Sequence, residues 1–129
     1  MSLEITAITL GVQDLNRAKQ FYGEGLGCPI EKDFRGFVSF NLGNGSPALA
    51  LYMWDALAAD AGVTANGSGF RGITLNYIVP SAERVDEVMA QAERAGATIV
   101  KPAQKAQWGG YFGHFSDRDG YLWKVTSDA

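Results

Sequence analysis

Residues 5–22 of the chain read ITAITLGVQDLNRAKQFY, and the pattern of side chains changes partway along this stretch. Residues 5–12 alternate between apolar and small or polar side chains, which is typical of a half-buried β-strand. Asp14 then stands where a helix N-cap is expected, and apolar side chains recur at helical spacing from Leu15 to Tyr22. The stretch therefore predicts a strand that leads directly into a helix.

Three further strands are predicted in the first half of the chain, near residues 30–34, 36–42 and 48–54. The last two are joined by Gly43-Asn44-Gly45-Ser46, which is a hairpin signal. The first half is thus expected to have the order βαβββ.

The second half repeats this order. Residues 73–79 predict a strand, and Ser81 can cap a helix that Gly96 ends. Residues 98–101 are strand-like, and residues 108–115 are expected to pair with residues 121–126 across a turn. The motif Gly-x-x-Ile-x-Lys follows both helices, at residues 27–32 and 96–101.

These patterns predict an α+β fold made of two βαβββ modules within a single domain, residues 1–129. The first module is expected at about residues 1–54 and the second at about 71–129. An Ala/Gly-rich linker joins them at about residues 55–70.

The composition excludes several classes of function. The net charge is −3 with scattered charges, which argues against nucleic-acid binding, and no stretch is apolar enough to predict a membrane span. Cys28 is the only cysteine, so no internal disulfide can form, and we expect an inert thiol and a cytoplasmic protein. One cysteine and one histidine are also too few for the usual zinc sites.

Two motifs resemble those of the vicinal oxygen chelate superfamily, which includes glyoxalases, extradiol dioxygenases and bleomycin-resistance proteins. They are Leu10-Gly11-Val12-Gln13-Asp14-Leu15 near the start and Phe115-Ser116-Asp117-Arg118-Asp119-Gly120 near the end, where Arg118 replaces the usual proline. The resemblance covers almost the whole chain. It implies a curved mixed sheet around a pocket, helices on the outer face, and a homodimer.

The same resemblance implies four positions for metal ligands, and this sequence supplies no suitable donor at them. They fall on Ala7, Thr74, Lys124 and either Ala50 or Tyr52. A cation would be repelled by Lys124, and the other side chains are poor ligands for transition metals at neutral pH. We therefore expect no metal and no other cofactor.

Alternation along the strands predicts which side chains line the pocket. The expected ligand-binding residues are aromatic or polar: Tyr52, Trp54, Asn76, Trp108, Phe112 and Lys124. Lys124 could instead pair with an acid or reach solvent. His114, the candidate catalytic residue, could equally be a hydrogen-bonded histidine of the sheet.

The sequence favours a metal-free pocket protein that binds a small organic molecule, in the manner implied by bleomycin-resistance proteins. An alternative is a metal-free enzyme in which His114 transfers a proton and Lys124 stabilises negative charge. A lyase or dioxygenase that depends on a divalent metal is a third possibility.

Overall fold

The structure of the protein is a computed structural model that describes residues 5–67, 70–71, 73–107 and 109–128. The chain divides into two compact units, Met1–Gly67 and Ser68–Ala129. Each unit contains one four-stranded mixed sheet, which confirms the predicted α+β fold. Among the described residues, no helix is both long and apolar enough to cross a membrane.

The first unit follows the predicted βαβββ order, with one helix added at its end. Its elements are β1 (Ala7–Val12), α1 (Leu15–Lys19), a π-helical segment (Gln20–Gly25), β2 (Ile30–Phe34), β3 (Phe37–Phe40), β4 (Ala48–Met53) and α2 (Trp54–Ala61). The strand order is β1-β4-β3-β2, in which β1 runs parallel to β4 and the other pairs are antiparallel.

The predicted N-cap of α1 is confirmed, because Asp14 Oδ1 accepts a hydrogen bond of 3.1 Å from the backbone N–H of Arg17. In the π-helical segment that follows, the N–H of Leu26 donates to the carbonyl of Phe21. Phe21 and Tyr22 are each 1% exposed, with their rings edge to face at 4.9 Å. This segment thus places two successive aromatic rings in the core.

The prediction that residues 48–54 form one strand is wrong at its end. β4 stops at Met53, and Trp54 is the first residue of α2, which lies within the segment expected to be a linker. A Cβ on Gly11 would lie 3.3 Å from Leu57, so α2 packs on the Gly11 face of β1. The Nε1–H of Trp54 donates to the carbonyl of Ala65 at 2.7 Å, which fixes the indole.

The second unit matches the predicted order of elements. It contains β5 (Thr74–Ile78), α3 (Ala82–Ala95), β6 (Thr98–Lys105), β7 (Tyr111–Ser116) and β8 (Leu122–Ser127), with strand order β5-β8-β7-β6. Ser81 caps α3 through a bond of 3.1 Å from the N–H of Arg84, and Gly96 ends the helix with φ 112°. Both caps agree with the sequence.

The helix α3 covers one face of the second sheet. Its buried side chains are Val85, Val88, Met89 and Ala92, and they form a stripe at helical spacing. Phe115 and Val125 of the sheet are buried as well, at 2% and 0% exposure. The core of this unit therefore lies between α3 and the β7–β8 pair.

The two sheets have the same strand order and matching registers. The repeated Gly-x-x-Ile-x-Lys motif aligns Lys32, the register partner of Ser39, with Lys101, the register partner of His114. Counting from these pairs gives the equivalent positions of the two units: Ser39 and His114, Ala50 and Lys124, Lys32 and Lys101, Thr9 and Asn76.

Candidate functional site

Four polar side chains stand in a row across the second sheet, on the face opposite α3. Asn76 in β5 is the register partner of Lys124 in β8, which is the partner of His114 in β7. His114 is in turn the partner of Lys101 in β6. Since directly paired residues point to the same side of a sheet, all four lie on one surface, which we call the Lys124 face.

The ammonium groups of both lysines contact the ring of Phe112. The Lys101 Nζ lies 4.8 Å from the centroid of the Phe112 ring, and the Lys124 Nζ lies 5.0 Å from it. The imidazole of His114 contacts the same ring edge to face, with centroids 5.7 Å apart. Two ammonium groups and an imidazole are thus gathered around one aromatic ring.

None of the side chains registered beside this row is acidic. The neighbouring row on one side consists of Ile78, Thr126, Phe112 and Gln104, and the row on the other side consists of Thr74, Leu122, Ser116 and Thr98. The hydroxyl of Thr74 lies 3.3 Å from Asn76 Oδ1, to which it can donate. The amide N–H groups of Asn76 are then the ones that can donate to a bound group.

Burial lowers the pKa of His114 below its ordinary value of 6.5, and the positive charges of Lys124 and Lys101 lower that pKa further. At neutral pH the ring is therefore uncharged, with one nitrogen that can accept a proton. The Lys124 face accordingly has two cationic groups beside a neutral base.

Gly113 explains how β7 can present both Phe112 and His114. Between these residues, the strand turns position 113 towards α3, where a Cβ would lie 2.8 Å from Met89 Cε and 3.2 Å from the backbone of Ala103. Glycine is the residue that fits such a close approach.

Lys101 belongs to this cluster, yet alternation along the strand does not predict it. Counted from Thr98, strict alternation would place Lys101 on the α3 side. A bulge between Ile99 and Lys101 changes the register, so that Lys101 pairs with His114. The signal that was available is the repeated Gly-x-x-Ile-x-Lys motif, because β2 has the same irregularity between Ile30 and Lys32.

The other predicted ligand-binding residues are not part of this cluster. Tyr52 lies in the first unit, where its ring contacts Phe37 edge to face at 6.0 Å. Trp54 belongs to α2 and not to the face of β4, as described above. Trp108 lies outside the described residues, so its predicted stacking role stays a prediction.

The residues at the inferred metal positions do not fit a metal ion. The equivalence of Ala50 with Lys124 selects Ala50 over Tyr52, so the four side chains are two methyl groups, one hydroxyl and one ammonium. Within the described part of the chain, no three His, Cys, Asp or Glu residues are grouped so that they could hold a metal. The donor set itself therefore disfavours coordination.

Cys28 lines an open cavity of about 290 Å³ beside α1 in the first unit. Burial raises the pKa of its thiol above the ordinary value of 9.0, which keeps it protonated at neutral pH. A protonated thiol is a poor nucleophile, so Cys28 does not make this cavity a second candidate for the functional site.

The chain belongs to the Glyoxalase/Bleomycin resistance protein/Dioxygenase superfamily, whose family model matches residues 4–125. The match spans both units. It confirms the family that the two sequence motifs and the repeat indicate.

Solved structures of this superfamily resemble the chain closely in fold. A glyoxalase-related enzyme from Fulvimarina pelagi is 29% identical, with a TM-score of 0.85 over 96% of this chain and 87% of that one. A superfamily enzyme from Burkholderia phytofirmans is 16% identical, with a TM-score of 0.85 over 98% and 100%. A lactoylglutathione lyase from Agrobacterium tumefaciens is 20% identical, with a TM-score of 0.72 over 96% and 92%. No curated protein matches the chain significantly.

Proposed function

We propose that the Lys124 face binds a small organic anion without a metal ion. The observation that supports this most directly is the position of the two ammonium groups, each within 5.0 Å of the Phe112 ring centroid. A carboxylate can accept a hydrogen bond from Lys124 and is attracted by the charge of Lys101, and Asn76 can add a neutral donor. Hydrogen bonds to charged groups are the stronger ones, worth about 1.5–3 kcal/mol each where they are shielded from water.

The two lysines are expected to contribute unequally. Lys124 is half-buried in the middle of the sheet, whereas Lys101 is exposed on the edge strand β6. Solvent screens the exposed charge more strongly, so that its ion pair with a ligand is worth about 0.2–1 kcal/mol. Loss of Lys124 should therefore weaken binding by roughly tenfold, and loss of Lys101 by roughly two- to threefold.

The experiment uses butyrate as the probe and the NMR signal of His114, which is the only histidine in the chain, as the reporter. Lys124→Met is compared with the wild type. The matched control is Lys105→Met, because Lys105 lies on β6 but pairs with Tyr111 on the α3 side. Tenfold weaker binding in Lys124→Met, with the control unchanged, supports the proposal. Equal affinity in all three proteins would overturn it.

A second function is favoured by one observation, the neutral imidazole registered directly beside Lys124. In this reading His114 removes a proton from the carbon next to a carbonyl group. The C–H electron pair forms a double bond to the carbonyl carbon, the π pair of the carbonyl group moves to its oxygen, and the ammonium of Lys124 stabilises the resulting enolate. The first function needs only binding, whereas this one needs turnover.

Proton exchange separates the two functions. A 2-oxo acid such as 2-oxobutyrate is incubated with the protein in D₂O, and loss of the C3 proton signal is followed by NMR. Exchange that His114→Gln abolishes would support the enzyme. Exchange at the same rate in both proteins would remove His114 from the mechanism.

The remaining expectations from the sequence stay predictions. They are the aromatic contacts from Tyr52, Trp54 and Trp108, the homodimer, the division of the chain into modules at residues 54 and 71, and the cytoplasmic location.

A further inference from the structure

Beside the charged row, the Lys124 face has an apolar strip that the anion site alone does not explain. This strip consists of Ile78 in β5, Thr126 in β8 and Phe112 in β7, which are neighbours in register. Ile78 is 68% exposed, although isoleucine is among the residues most often buried. Its exposure leaves an apolar side chain next to a cationic cluster.

The middle of the strip adds no accessible polar atom. Thr126 is 8% exposed, and its Oγ1 is shielded from solvent without a hydrogen-bond partner among the described residues. The surface between Ile78 and Phe112 is therefore formed by hydrocarbon groups. A ligand that crosses it gains from the removal of apolar area from water.

We infer that the ligand is a carboxylic acid with an unbranched apolar chain of roughly four to six carbon atoms. This inference rests on the proposed function. The carboxylate would lie at Lys124 and its register partner Asn76, and the chain would extend past Phe112 over Thr126 to Ile78. Asn76 and Ile78 are two residues apart along β5, as are Lys124 and Thr126 along β8, and this distance of about 7 Å is the length of roughly five carbon atoms.

A two-part surface of this kind distinguishes between anions. Inorganic phosphate and acetate would interact with the lysines but would leave the strip uncovered. A longer acid covers it, and each additional methylene that is half covered should strengthen binding about twofold. The gain should stop once the chain passes Ile78, because the strand β5 is the edge of its sheet.

The experiment measures the affinity of butyrate, hexanoate and octanoate by titration calorimetry. The test variant is Ile78→Thr, which keeps a β-branched side chain but adds a hydroxyl. The control is Tyr77→Thr, since Tyr77 is 44% exposed on the same strand but pairs with Val125 on the opposite face.

The expected result is about fourfold tighter binding of hexanoate than of butyrate, with little further gain for octanoate. Ile78→Thr should weaken hexanoate binding about threefold and butyrate binding less than twofold, and Tyr77→Thr should change neither.

Equal affinities for the three acids, or equal losses in the two variants, would overturn the inference. The proposed function would survive that result as long as butyrate binding still depended on Lys124. Binding of none of the three acids would overturn both.

Discussion

Replacing Lys124 should raise the pKa of His114, and replacing it with an acidic residue should raise that pKa most. In the wild type, burial and then the charges of Lys124 and Lys101 lower the pKa of His114. Lys124→Met removes the stronger of these two charges, and Lys124→Glu replaces it with a negative one. The pKa of His114 is therefore expected to rise from wild type to Lys124→Met, and again to Lys124→Glu.

The size of the effect follows from the cross-strand pairing of His114 with Lys124. The imidazole and the Lys124 Nζ lie 5.7 and 5.0 Å from the Phe112 centroid, which is consistent with a separation of about 7 Å, and we take an effective dielectric constant of about 50, between the values of about 20 near a protein surface and about 80 in water. Coulomb's law then gives about 1 kcal/mol for removal of the charge and about 2 kcal/mol for its reversal. Both values should shrink in concentrated salt, because the groups are accessible to solvent.

The assay is a pH titration of the imidazole carbon-bound proton by NMR, which needs no assignment because the chain has one histidine. Lys105→Glu is the control, since it makes the same substitution on the α3 side of β6. Titration midpoints that coincide in the wild type and both Lys124 variants would refute the geometry. A shift of the same size in the control would show that net charge, not the pairing with Lys124, controls His114.

Three further results are expected. Gly96→Ala should lower the free energy of unfolding in urea by about 2 kcal/mol, because φ is 112° and the new Cβ would lie 2.7 Å from the Arg118 side chain. The control is Gly27→Ala, where φ is 77° but the Cβ would meet open space, and it should cost about 1 kcal/mol. Equal losses in the two variants would show that the contact with Arg118 contributes nothing. His114→Gln should flatten the pH dependence of the free energy of unfolding. Because the pKa of His114 is lower in the folded protein, its contribution to stability is fully present above pH 6.5 and is lost as the pH falls through the folded-state pKa. Identical stability profiles of the wild type and the variant between pH 7 and 5 would contradict this. Divalent zinc, nickel or manganese should raise the melting temperature no more than magnesium does, and a large selective stabilisation by one of them would contradict the mapping of the metal positions.

Local signals predict the helix boundaries well, because each depends on a few neighbouring residues. The caps at Asp14 and Ser81 and the left-handed end at Gly96 are all confirmed. The helix α2 was not predicted, since its Ala-rich segment has no apolar stripe and none of its residues is fully buried. Its position depends on a tertiary contact, the close approach to Gly11, which no sequence pattern records.

The candidate site was only partly visible in the sequence, for a similar reason. Strand alternation places Asn76, Phe112, His114 and Lys124 on one face, and the register has them there. Alternation fails for Lys101 because a bulge before it adds one residue to β6 and reverses its side-chain direction, and a second register shift follows between Lys101 and Gln104. The exposure of each side chain in the cluster, and the distances of Lys101, Lys124 and His114 to the Phe112 ring, cannot be predicted from the sequence because they depend on the tertiary structure.

The matching registers of the two sheets bear on how this molecule came to differ from one half to the other. A duplicated module gives natural selection two versions of every position, of which one can keep the scaffold intact while the other acquires new chemistry. Lys32 and Lys101 are identical, whereas Ser39 and Ala50 stand where the second half has His114 and Lys124. Two side chains, His114 and Lys124, therefore distinguish the second row, which has two lysines and an imidazole, from the first row, in which Lys32 is the one charged residue.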